Sequence, residues 1–172
     1  HDFAENAVYR EACVVGHEFE RLSPHLINLK KHNRVAILVS NEALSALNWF
    51  GIEATAADNG ETTYNDVVRR IYDVLYDHNI ECDFLFPDVT AEELSAYRMV
   101  ITPALYAASE ELLGKLRDYA SAGGVLVATY KTGFANEYVK VYHDLQPHGL
   151  SDVFGVHYHE FTFPKQVELF GG

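Results

Sequence analysis

Apolar residues follow two rhythms along this 172-residue chain. Val35 to Ser40, Ile80 to Phe86, Met99 to Pro103 and Val125 to Tyr130 are nearly continuous apolar runs of strand length. Between them, apolar positions recur every three or four residues, the period of a helix with one buried face. Continuous strands alternating with such helices predict a parallel sheet covered on both faces.

Each helix carries local signals of its own. Phe3 to Leu22 sets Val8, Ala12, Val15, Phe19 and Leu22 on one stripe, and Ser23-Pro24 is expected to end it. His25 to Asn33 reads as a polar connector and a domain boundary. Glu42 to Phe50 reads as a short helix, followed by a long irregular loop from Gly51 to Glu61. Thr63 with Asp66 three residues on predicts a capping box opening a helix from Tyr64 to about His78, with Val67 or Val68, Ile71, Tyr72, Leu75 and Tyr76 inward. Thr90 with Glu93 caps a brief helix toward Tyr97. Ser109, with Glu110 and Glu111 in the first turn, starts a helix that runs to Ala122 and stops at Gly123-Gly124. Lys131 to Gly149 reads as a long loop, Ser151 to Phe154 as a helical turn and Val156 to Phe163 as an edge strand. The expected fold is α/β: a three-layer, open, mostly parallel sheet with helices on both faces, preceded by one long helix.

The length suits one α/β domain and falls short of the roughly 250 residues of a complete (β/α)8 barrel. Twenty-five acidic residues against 13 basic ones give a net charge of -12, and no basic run exceeds Lys30-Lys31. That balance argues against nucleic acid and anionic membranes as partners. Cys13 and Cys82 supply neither a disulfide framework nor zinc spacing, and each is expected to be a buried, small apolar group. The longest apolar runs are strand-length, and a signal peptide and Asn-x-Ser/Thr acceptors are absent from the sequence, so a cytoplasmic location is expected.

Open parallel sheets take ligands at the carboxyl ends of their strands. The first such end, Ser40-Asn41-Glu42-Ala43-Leu44-Ser45, contains no glycine that would let a backbone cradle approach phosphate, which argues against a flavin or dinucleotide. The third, Pro103-Ala104-Leu105-Tyr106, carries no thiol. His157-x-His159 sets two imidazoles on one strand face, with Glu160 and His143 nearby in sequence, but spacing supplies no third ligand and no metal is expected. Glu110 and Glu111 are explained by helix capping. No catalytic residue and no cofactor is expected.

Aromatic residues are in excess, with 11 Tyr and 10 Phe. Trp49, Phe50, Tyr130, Phe134, Tyr138 and Tyr142 fall outside the helical stripes, as do Phe161 and Phe163. Together with Asn136 and Glu137 in the same loop, the first six are the candidate site residues, for a subunit contact or a sugar-stacking wall.

Thr63-Tyr64-Asn65-Asp66-Val67-Val68-Arg69-Arg70-Ile71-Tyr72, Ile80-Glu81-Cys82-Asp83-Phe84 and Val100-Ile101-Thr102-Pro103-Ala104-Leu105-Tyr106 stand in an order that resembles the trimerisation domain of family 42 glycoside hydrolases. Gly123-Gly124-Val125-Leu126-Val127, Thr132-Gly133-Phe134-Ala135-Asn136-Glu137 and Leu150-Ser151-Asp152-Val153-Phe154-Gly155-Val156 continue it. The resemblance implies a class I glutamine amidotransferase-like (flavodoxin-like) fold in which Ala104 and Leu105 stand where that fold carries its nucleophilic cysteine. It further implies that residues 1–33 are the last helix and connector of a catalytic barrel, 34–163 the trimerisation domain, and 164–172 the start of a linker to a C-terminal β domain. The family's retaining hydrolysis of β-galactosides uses two glutamates about 5 to 5.5 Å apart on barrel strands, which would lie upstream of His1. The implied role is non-catalytic assembly of a homotrimer, with the galactoside bound mainly by the barrel. A stand-alone amidotransferase-like or flavodoxin-like ligand-binding module is the rival reading, and a carbohydrate-contacting module a third.

Overall fold

The structure, a computed structural model, describes residues 5–51, 62–159 and 161. It divides into two compact units, His1–His32 and Asn33–Gly172. Among the described residues, no helix is long and apolar enough to cross a membrane.

The first unit is helix α1, Ala7–Leu26. It starts behind Asn6, whose side-chain oxygen accepts the Tyr9 N–H at 2.8 Å. The expected stop at Ser23-Pro24 does not occur: the helix runs through Pro24, and the Ile27 N–H donates to the Ser23 carbonyl at 3.0 Å. Pro24 lies in the last turn, where its missing N–H removes one backbone bond from a helix with no buried residue. Phe3 lies outside the described residues.

The described residues of the second unit build a four-stranded parallel sheet in the order β2-β1-β3-β4, from β1 (Val35–Leu38), β2 (Cys82–Leu85), β3 (Met99–Thr102) and β4 (Val125–Ala128). Helices α2 (Asn41–Phe50) and α3 (Tyr64–Asp77) connect β1 to β2, α4 (Ala91–Ser95) connects β2 to β3, and α5 (Glu110–Ser121) connects β3 to β4. A single helical turn, α6 (Ser151–Phe154), follows, as its sequence predicts. Thr63 and Thr90 both form the expected capping boxes, and Ser109 caps α5. Because the chain leaves β1 for one edge and then returns to lay β3 on its other side, strand order reverses between β1 and β3.

The period of two along each strand sends alternate side chains to opposite layers. Ile37 and Ile101 pack with Leu75 of α3, flanked by Val68 and Ile71. Leu38 and Val100 pack with Leu94 of α4 and with Leu112, Leu113 and Leu116 of α5. A third cluster gathers at the carboxyl ends of the strands: Ala43, Ala46 and Leu47 of α2 with Tyr64, Ala104, Tyr106 and Ala135.

Only the two central strands are buried as their sequences suggest. Phe84 on β2, and Val125 and Val127 on β4, are exposed, because β2 and β4 are the sheet's edges. Apolarity alone does not distinguish an edge from a centre. Tyr72 and Tyr76 also leave the expected core face of α3: they stack on each other at 6.3 Å, and Tyr72 stacks on Phe84 at 6.0 Å. Of the expected edge strand Val156 to Phe163, the described residues form one antiparallel bridge, Tyr158 with Gln146; Glu160, Thr162, Phe163 and the segment 164–172 lie outside the described residues. So does most of the loop after Gly51. Cys13 and Cys82 are partly exposed rather than buried.

Candidate functional site

The carboxyl end of β1 is closed by its own neighbours. The Ser40 N–H, which in an open α/β sheet points toward a bound ligand, donates to the Tyr64 hydroxyl at 2.9 Å. Ser40 Oγ accepts the Ala43 N–H at 3.0 Å and donates to Glu42 at 2.9 Å, so the N-terminus of α2 is capped from within. Burial, opposed by that backbone bond, pushes the Tyr64 hydroxyl above its ordinary pKa.

At the end of β3, Ala104 adopts φ +34, a left-handed backbone unusual for a residue with a Cβ, and its side chain is fully buried. Its N–H donates to Thr129 Oγ1 at 2.6 Å. At the end of β4, Thr132 Oγ1 donates to the Thr129 carbonyl at 2.8 Å, and the buried Lys131 extends Nζ to the Gly51 carbonyl at 2.8 Å and lies 5.1 Å from the Phe161 ring centre. These groups bind one another, and the arrangement supplies no nucleophile with a neighbouring base among the described residues.

The segment from Lys131 to Gly149 is the long loop its sequence suggests, and its backbone is tied to the rest of the domain. Ala135 bridges both Ala107 and Val141, and Ala135 N–H donates to the Tyr106 carbonyl at 2.9 Å. Gly133 has φ +66 and lies so close to the His148 backbone that a Cβ would meet its nitrogen at 3.1 Å. Across this segment runs a ladder of rings. Phe50 stacks on Tyr106 at 6.1 Å and Tyr106 on Phe134 at 5.1 Å, while Phe134 meets Phe161 at 5.4 Å and Phe161 meets Tyr158 at 5.6 Å with their planes tilted. Tyr158 donates to the Thr132 carbonyl at 2.8 Å, and burial drives its pKa well above the usual tyrosine range.

The candidate residues therefore separate. Phe50 and Phe134 meet through Tyr106. Tyr142 stacks on His148 at 3.6 Å and donates to the Ala108 carbonyl at 3.0 Å; burial first, then Glu110, Glu137 and Asp144, push its pKa up to about 12. His148 in turn holds the Asp144 carboxylate at 2.7 Å. Asn136 is a turn residue: its Oδ1 accepts the N–H groups of Tyr138 and Lys140, each at 3.0 Å. On that turn Tyr138 is 82% exposed, and Trp49 on α2 is 88% exposed. Glu137 borders a crevice of about 400 Å³ with Ser40, Glu42, Asp88 and Ser109, at the point where strand order reverses. Tyr130 stands apart, at the end of β4 beside Phe161. His157 and His159 meet edge to face at 5.3 Å, and no group of three metal-ligating side chains occurs among the described residues.

Tyr106, Tyr158 and Lys131 carry much of this arrangement and were not legible as site residues. Tyr106 lies just beyond the Pro103-Ala104-Leu105 turn that follows β3, and a large aromatic beside a tight turn was the local signal.

Known proteins place the domain. The chain is 30% identical over 157 residues to β-galactosidase BgaB of a Geobacillus species, covering 91% of this chain and 22% of that protein. It is 31% identical over 156 residues to β-galactosidase GalA of Bacillus licheniformis, covering 89% of this chain and 22% of that protein. The crystal structure of β-galactosidase from Bacillus circulans sp. alkalophilus superposes with a TM-score of 0.73 at 26% identity, over 88% of this chain and 21% of that one. This chain thus spans about a fifth of the length of these relatives. Residues 33–168 match the family described as the β-galactosidase trimerisation domain, and the chain belongs to that family.

Proposed function

We propose that this chain is a non-catalytic assembly domain through which a β-galactosidase-type parent forms a homotrimer. The observation that carries the reading is the contrast at the carboxyl edge of the sheet: the Ser40 and Ala104 amides are spent on Tyr64 and Thr129, while Trp49 and Tyr138 stand in solvent. Reactive or ligand-seeking groups would be left available in an enzyme. Exposed, amphipathic aromatics suit a protein contact.

In this reading residues 1–33 are the last helix and connector of the parent's catalytic barrel, 34–163 the assembly domain and 164–172 the start of a linker. The relatives are named β-galactosidases, and in this reading the parent hydrolyses terminal β-D-galactosides with retention, as the family resemblance implies, with its catalytic glutamates outside these 172 residues and a cytoplasmic location. The positive φ of Ala104 directly after β3 supports an amidotransferase-like descent, since such folds present a nucleophile on a strained turn at this place. Here the turn carries a methyl group.

Light scattering on this chain tests the reading, with an expected mass three times the 19.4 kDa of one copy. In the full-length parent, Trp49→Ala and Tyr138→Ala are expected to lower the oligomer mass or raise KM, because this reading places both residues at a subunit contact or on a sugar-stacking wall. Unchanged mass and KM would make both residues ordinary surface. Saturable calorimetric binding of a nucleotide or sugar at the strand ends would instead favour the ligand-binding module.

A further inference from the structure

We draw no further inference here: the strongest candidate, the apolar groove of about 490 Å³ between α3 and β4 lined by Ile71, Val74, Ile101, Val127 and Tyr130, carries none because nothing in the structure shows what covers it.

Discussion

The Ser40 backbone N–H donates to the Tyr64 hydroxyl at 2.9 Å, joining the end of β1 to the first turn of α3 across 24 residues of sequence. Both residues are buried, so removing the hydroxyl leaves a backbone donor without water or protein to bind. Tyr64→Phe is expected to lower the unfolding free energy by about 1–3 kcal/mol, read as a reduced urea midpoint at unchanged m value.

Tyr119 occupies the space that a Cβ on Gly124 would fill. Its ring is fixed there because its hydroxyl donates to the Tyr97 carbonyl at 3.1 Å and its body belongs to the core around α5. Gly124→Ala is expected to displace the ring, at a cost of about 1–3 kcal/mol, with the same urea titration as the measurement.

Phe134 and Tyr138 lie four residues apart and should respond oppositely. Phe134 contacts both Tyr106 and Phe161 in the ring ladder, so Phe134→Ala is expected to cost about 2–4 kcal/mol. Tyr138→Ala is expected to stay within about 0.5 kcal/mol in thermal unfolding of the unassembled chain, since its side chain stands in solvent.

The two capping boxes set a pH dependence. Asp66 accepts the Thr63 hydroxyl at 2.7 Å and its N–H at 2.9 Å, holding the carboxyl below its ordinary 3.8; Glu93 accepts the Thr90 N–H and hydroxyl, each at 2.8 Å, and is held below 4.5. A carboxylate whose folded pKa is depressed stabilises above its unfolded pKa and loses that contribution as pH falls through the folded value. The melting temperature is therefore expected to decline below about pH 4.5, with a shallower decline in the Thr63→Ala, Thr90→Ala double variant.

Much of this molecule was readable one element at a time. The capping residues, the four apolar strands and the α5 stripe are local patterns, and each has a local physical cause. The segment 131–149 was not readable, because its bonds reach Gly51, Tyr106 and Ala107, and because Lys131 and Val139 take positive φ values that their residue types disfavour. The aromatic candidates shared one signal, position outside a helical stripe, which does not separate a ring packed in a ladder, such as Phe134, from one in solvent, such as Tyr138.

By itself, the amino-acid sequence determined the alternation of strand and helix, the caps that start α3, α4 and α5, and the lack of a thiol at Pro103-Ala104-Leu105-Tyr106. Those follow from side-chain period, hydrogen-bonding reach within one turn, and residue identity. Only the tertiary structure decided that β2 and β4 are edges, that Tyr64 closes the end of β1, and that a groove stays open between α3 and β4. Each depends on which elements become neighbours in space, and neighbours far apart in sequence are chosen by the packing of the whole sheet.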